Sequence, residues 1–324
     1  MATLERVHIL NRSVRANTAT NRLCKPSLGQ MVGRNWALSC LSSLVMLNVL
    51  SATRAEVRGP RLMRDIEYAR AGSVSLRMDA SIPPNSEKTP AVVIVHGGGW
   101  VSGDRRVDVQ PLFKPLSEAG FAWFSISYRL VTHVTQFGIA ITDVQDAVRF
   151  VRRHAVTFNI DPENIALIGE SAGGQLAAMA ALRGSGDTAV KAVVALYAPS
   201  DLVSLVNSSN GVPAQIRNSV RGTPWENLVI AGLTQLSPID NVHHGMPPFL
   251  LIHGTADPLV PFQQSRDMCA QMTKAGASCE LYAVEGAGHG IRLWESDSEL
   301  ASAYKHKMVA WLQQELRQNN RVSS

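Results

Sequence analysis

Five short apolar runs mark the second two-thirds of the chain: 91–95 (AVVIV), 165–168 (IALI), 192–197 (AVVALY), 248–253 (PFLLIH) and 280–284 (ELYAV). Most are continuously apolar rather than alternating, the pattern of strands covered on both faces. Helix-like segments fall between and after them, at 147–154, 174–182, 263–274 and 301–316. Strand and helix in alternation predict an α/β fold, a mostly parallel central sheet flanked by helices. Between Asp201 and Pro248 the pattern loosens. NSSNG at 207–211 reads as an exposed turn, and the amphipathic pieces beyond it predict a small cap insertion. Trp100 and Trp225 are candidates to line the cap and bind substrate, although core packing is the commoner fate of a tryptophan.

The first 55 residues differ from the rest. Residues 36–50 form an apolar run broken by serines, preceded by Arg34 and followed by SATRA at 51–55. The run is shorter than the roughly 20 apolar residues of a membrane span. It predicts a signal segment cleaved after Ala55, leaving 56–324 as one catalytic domain exported to the periplasm or beyond. A start at Met31 would give that signal an ordinary length. An organelle transit peptide and a retained N-terminal anchor are the rival readings.

Net charge changes meaning once the leader is set apart. The whole chain carries +5. Residues 1–55 hold seven basic side chains against Glu5 alone, which is +6 and leaves −1 for the remainder. The basic excess belongs to the leader, so no nucleic-acid partner is predicted. With Cys24 and Cys40 removed, Cys269 and Cys279 remain, a pair that suits a disulfide in an oxidising compartment. Two unrelated buried thiols are the alternative. No cluster has metal-ligand spacing, and neither metal nor cofactor is called for.

The chemistry concentrates at the ends of the predicted strands. GESAG at 169–173 lies between a strand-like and a helix-like run. That is the setting of a nucleophile elbow, in which small residues permit a sharp turn and the serine stands clear of the sheet. Ser171 then needs a base, and the base an acid. Of nine histidines, His289 in EGAGHG at 285–290 best fits the order serine, acid, histidine, since it follows a strand and is flanked by glycines. Asp257, just beyond the run ending at His253, is the preferred acid, with Asp201 one strand earlier as its competitor. HGGGW at 96–100 follows the first run directly. Its glycines let backbone N–H groups face a developing oxyanion, so Gly98, Gly99 and Ala172 are the expected donors. A flexible glycine loop is the plainer reading, and the phosphate-loop signatures are absent.

HGGGW, GESAGG, HGTADPLVP and EGAGHG, in this order, resemble the hormone-sensitive-lipase-like carboxylesterases of the α/β-hydrolase superfamily. Within them the chain looks most like bacterial acetyl-xylan and feruloyl esterases. YRL at 128–130, Asp143 and NIDP at 159–162 add to the likeness, which spans about 66–316. The resemblance implies an α/β-hydrolase fold, a Ser171–Asp257–His289 triad and an oxyanion hole at Gly98, Gly99 and Ala172. It also implies a small-molecule or polysaccharide-linked ester as substrate. One departure stands out: the proline-bearing segment usual after YRL is replaced by VTHVTQFG at 131–138. An amidase, peptidase or formamidase on the same triad, and a non-catalytic binding scaffold, are the competing functions.

Overall fold

The computed structural model describes residues 59–85, 87–131, 136–207, 222 and 226–317. The leader, Trp225 and most of the 207–211 turn lie outside these residues. Eight strands form one sheet: β1 (Arg61–Ala71), β2 (Val74–Ile82), β3 (Thr89–Val95), β4 (Ala122–Ile126), β5 (Ile160–Glu170), β6 (Ala192–Leu196), β7 (Phe249–Gly254) and β8 (Cys279–Val284). Their spatial order is β1-β2-β4-β3-β5-β6-β7-β8. β1, β2 and β4 pair antiparallel, and all strands from β4 to β8 pair parallel. This is the α/β-hydrolase arrangement.

The continuous apolar runs are explained by burial on both faces. In β3, Ala91, Val93 and Val95 enter one core and Val92 and Ile94 the other. β5, β6 and β7 alternate in the same way. The helices are α1 (Gln110–Glu118), α2 (Phe137–Arg153), α3 (Ala155–Phe158), α4 (Ala172–Leu182), α5 (Leu202–Asn207), α6 (Glu226–Leu236), α7 (Gln263–Lys274), α8 (Ile291–Trp294) and α9 (Ser298–Arg317). α2, α4 and α7 supply one core, and α1 and α9 the other. α4 is buried at every position, which its alanine- and glycine-rich sequence allows.

The insertion between β6 and β7 carries α5 and α6. Leu202, Leu205, Val206 and Leu233 bury into the main core, so its described helices pack against the domain. Asp201 accepts the Ser204 N–H at 2.8 Å, an N-cap role for the competing acid. The apolar pattern did not announce β1, β2 or β4: β1 is largely exposed, β2 is interrupted by Arg77, Asp79 and serines, and the short β4 carries Ser125.

Buried charge joins those strands to the segment that follows HGGGW. Asp79 of β2 accepts the Asp65 N–H at 2.8 Å, where β1 bulges, and pairs with Arg105 at 3.3 Å and Arg106 at 2.5 Å. Arg105 also donates to Ser127 Oγ at 2.9 Å. Burial raises the Asp79 carboxyl, but the Arg106 hydrogen bond, the Asp65 N–H and Arg105 more than offset it, and the group is held at about 2. The folded value lies below the unfolded ~3.9. Its stabilisation is therefore complete above about pH 4 and is lost as pH falls through about 2. Asp79→Asn is expected to lower unfolding free energy by about 1–3 kcal/mol at neutral pH. The gap to the parent should close between pH 4 and 2 in denaturant titrations; a gap independent of pH would contradict this account.

Candidate active site

Ser171 sits at the junction of β5 and α4 with φ +52° and ψ −123°. A non-glycine residue adopts such a backbone only where its surroundings enforce it. They do so here by close approach. A Cβ on Gly169 would lie 2.2 Å from the Gly173 carbonyl oxygen, and one on Gly173 would lie 2.3 Å from the carbonyl oxygens of both Val95 and His96. The Ser171 N–H donates to the Leu196 carbonyl at 2.9 Å, tying the turn to β6.

Two loops from the same sheet edge meet the serine. His289 Nε2 is 2.9 Å from Ser171 Oγ, and His289 Nδ1 is 2.7 Å from Asp257 Oδ2. Asp257 follows β7, with its Oδ1 accepting the N–H groups of Leu259 at 2.8 Å and Val260 at 2.9 Å. Burial pushes this carboxyl up, yet hydrogen bonds from His253 and His289 outweigh burial and leave it well below the usual carboxylate range. Asp257 is thus an ion at neutral pH, suited to holding an imidazole and to stabilising it when protonated.

The third loop is 96–103. Gly98 and Gly99 take φ +98° and +60° and line the cleft beside Ser171. No side chain fits at Gly98, because a Cβ would lie 2.2 Å from the Ser102 carbonyl oxygen. Ala172 is the first residue of α4, the end at which helical N–H groups point outward. His96 is buried, stacks on Tyr128 with ring centroids 4.5 Å apart, and holds its own loop through Nδ1, 2.9 Å from the Gly97 carbonyl. Trp100 corrects the expectation of a substrate-binding residue. Its side chain is buried, and its indole N–H donates to Gln175 Oε1 at 2.9 Å, so the ring supports the loop from beneath. Burying an indole is favourable only if its N–H finds such an acceptor, and Gln175 supplies one.

Glu170 and Tyr197 were not assigned a role by the sequence, and they connect all of these pieces. Glu170 Oε1 accepts the Gly97 N–H at 2.6 Å, and Oε2 accepts the Tyr197 hydroxyl at 2.8 Å. That hydroxyl in turn accepts the Ile291 N–H at 2.9 Å, two residues beyond His289. The Tyr197 ring also meets the His289 ring edge-on at 4.7 Å. Burial raises the Glu170 carboxyl, against the opposing pull of Tyr197 and Gly97. The sequence signal was present but faint: a carboxylate inside a motif that otherwise demands small residues.

Around these groups lies an open cleft of about 750 Å³. Its apolar wall is formed by Leu259, Val260, Ile291 and Leu293, and its polar floor by Ser171, His289, Glu170 and the glycine loop. Glu170→Ala would leave the Gly97 N–H and the Tyr197 O–H without acceptors and cut the link between two loops. We expect a loss of about ten-fold in kcat with KM nearly unchanged, less than the 10²–10³-fold of deleting an oxyanion donor outright. Steady-state kinetics on a p-nitrophenyl ester measure it, and an unchanged kcat would show that the bridge does not matter.

Comparison with known proteins agrees with this geometry. Residues 78–272 match the BD-FAE family. Esterase LipQ of Mycobacterium tuberculosis is 32% identical over 261 residues, covering 76% of this chain and 59% of its own length. The probable carboxylic ester hydrolase LipM of the same organism is 30% identical, covering 68% of this chain and 53% of its own. The chain thus spans little more than half the length of these curated relatives. Among solved structures, a truncated carbohydrate esterase from gut microbiota superposes with a TM-score of 0.66 at 26% identity, over 82% of this chain and 99% of that one. Esterase 2 of Thermogutta terrifontis phosphorylated by paraoxon gives 0.62 at 25% identity, over 80% and 95%. On motif order, sheet topology and these matches together, the chain belongs to the BD-FAE family of α/β-hydrolases.

Proposed function

We propose that this protein is a serine carboxylesterase acting on short-chain or aryl esters through an acyl-enzyme. The observation that carries the reading is the unbroken relay of 2.9 Å from serine to histidine and 2.7 Å from histidine to a buried aspartate. Ser171 Oγ attacks the ester carbonyl while His289 Nε2 takes its proton. Asp257 holds the Nδ1–H and stabilises the imidazolium. The N–H groups of Gly98, Gly99 and Ala172 receive the oxyanion. His289 then protonates the departing alcohol, and water repeats the cycle to release the acid.

The open apolar cleft suits a compact acyl or aryl group. A polysaccharide-linked ester is the proposed natural substrate. The likeness to a carbohydrate esterase supports that choice. Export to the periplasm or medium is the proposed location, and the leader at 1–55 is its basis. No helix among the described residues is long and apolar enough to cross a membrane.

Purified protein should hydrolyse p-nitrophenyl acetate, and Ser171→Ala should lose about 10⁶-fold in kcat, as removal of a serine nucleophile does elsewhere. The matched anilide should turn over far more slowly than the ester. Equal rates in parent and variant would end the proposal. A second expectation concerns Cys269 and Cys279, whose Cα atoms are 5.4 Å apart, inside the range a disulfide spans. We propose that they are bonded in the exported protein. Replacing both with serine should then cost about 2–3 kcal/mol of stability, the figure for so short a loop, and free-thiol titration of the unfolded mature protein should find no reactive sulfur.

A further inference from the structure

A second histidine lies on the far side of the acid, and the reaction as described makes no use of it. His253 is in β7, its side chain wholly buried. Its Nε2 is 2.9 Å from the Val260 carbonyl oxygen and 3.3 Å from Asp257 Oδ2. Its Nδ1 is 2.7 Å from Ser265 Oγ, near the start of α7. Phe262 packs edge-on against the ring at 5.7 Å.

The partners fix one proton position. A carbonyl only accepts hydrogen bonds, so Nε2 carries a hydrogen and gives it to Val260, with Asp257 Oδ2 3.3 Å from the same nitrogen. Nδ1 pairs with the Ser265 hydroxyl, which can donate or accept. Both ring nitrogens are thus engaged. Asp257 in turn is gripped at both oxygens: Oδ1 by the Leu259 and Val260 amides, Oδ2 by the two imidazoles. One N–H from His253 therefore reaches both the carboxylate and the backbone turn that carries it.

We propose that His253 is a positioning residue, locked by Ser265, that aims the Asp257 carboxylate at His289 and extends the relay to Ser171–His289–Asp257–His253–Ser265. Without it, Oδ2 would be held by His289 alone, and only the Leu259 and Val260 amides on Oδ1 would resist a tilt of the carboxylate away from His289. The buried Val260 carbonyl would lose its partner, loosening the turn as well. The proposal rests on the esterase reading only for its kinetic consequence.

The test compares His253→Phe, which keeps a ring and removes the donor, with His253→Gln, whose amide N–H falls near the lost Nε2–H. Two readouts are followed: kcat and KM on p-nitrophenyl acetate, and the far-downfield proton resonance of the His289–Asp257 hydrogen bond, assigned by its absence in His289→Asn. His253→Phe should lose on the order of 10–100-fold in kcat with KM moved less than about two-fold, short of the 10⁴-fold for a lost orienting acid. Its downfield proton should broaden or vanish. His253→Gln should restore the resonance and most of the rate. Should the phenylalanine variant fail to fold, Ser265→Ala decides in its place, because it frees the same ring while leaving the acid and its turn intact. Parental kcat and an unmoved resonance in whichever variant folds would overturn the proposal, whatever happens to its melting temperature. A parent inactive on esters would count against the esterase reading alone, since the resonance comparison needs no substrate.

Discussion

Gly173 has no room for a β-carbon, and the geometry of the site depends on that contact. The space a Cβ would fill lies 2.3 Å from two successive carbonyl oxygens at the end of β3. α4 can therefore press its first turn onto the strand that leads into the glycine loop. Ser171, at the start of α4, and the glycine loop at Gly98 and Gly99 are brought to one cleft by a single backbone-to-backbone approach. The strain at Ser171, with φ +52°, is the local consequence. A fully buried helix and a sheet covered on both faces hold it there, since packed interiors yield little.

Close approach alone sets only two of the three loops. The histidine loop after β8 is joined to the glycine loop after β3 by buried polar side chains. Glu170 and Tyr197 link the Gly97 amide to the Ile291 amide through three hydrogen bonds of 2.6–2.9 Å. In a low-dielectric setting such a chain is strong while complete and costly when broken. The same logic runs on the other side of His289, where Asp257 is held by two amides and two imidazoles. Each loop of the site is therefore fixed by hydrogen bonds from a neighbouring side chain.

These properties explain which parts were legible in the sequence. Ser171, Asp257, His289 and the 97–99 glycines each stand where an apolar run stops, and the chemistry demands particular residue types at those points. A strand-like pattern plus a reactive or minimal residue is a local signal, and all of it lies in adjacent positions. Glu170 carries only a faint local signal, because its partners Gly97 and Tyr197 are 73 and 27 residues away. Trp100 was misread for the same reason. Its acceptor, Gln175, is 75 residues distant, and nothing beside the tryptophan shows that its indole is satisfied inside the core. β1 escaped the apolar pattern because it is largely exposed and need not be hydrophobic, while β2 and β4 escaped because polar residues such as Asp79 and Ser125 interrupt them.

Two buried carboxylates flank His289, and their surroundings drive them in opposite directions. Around Asp257 four donors converge, and together they outweigh burial, so the carboxyl is depressed. Around Glu170 burial outweighs a hydroxyl and one amide, and the carboxyl is raised. Environments that separate two like groups in this way assign them different tasks. The depressed one sits on Nδ1 and is suited to stabilising positive charge on the imidazole. The raised one bonds to the Gly97 amide and the Tyr197 hydroxyl and meets His289 only through space, so its hydrogen bonds hold the loops. Had the two environments been exchanged, the histidine would face the weaker of its two possible counter-charges. The distribution of donors, more than the distance between oxygen and nitrogen, is what distinguishes the acid of the relay from the carboxylate next to the nucleophile.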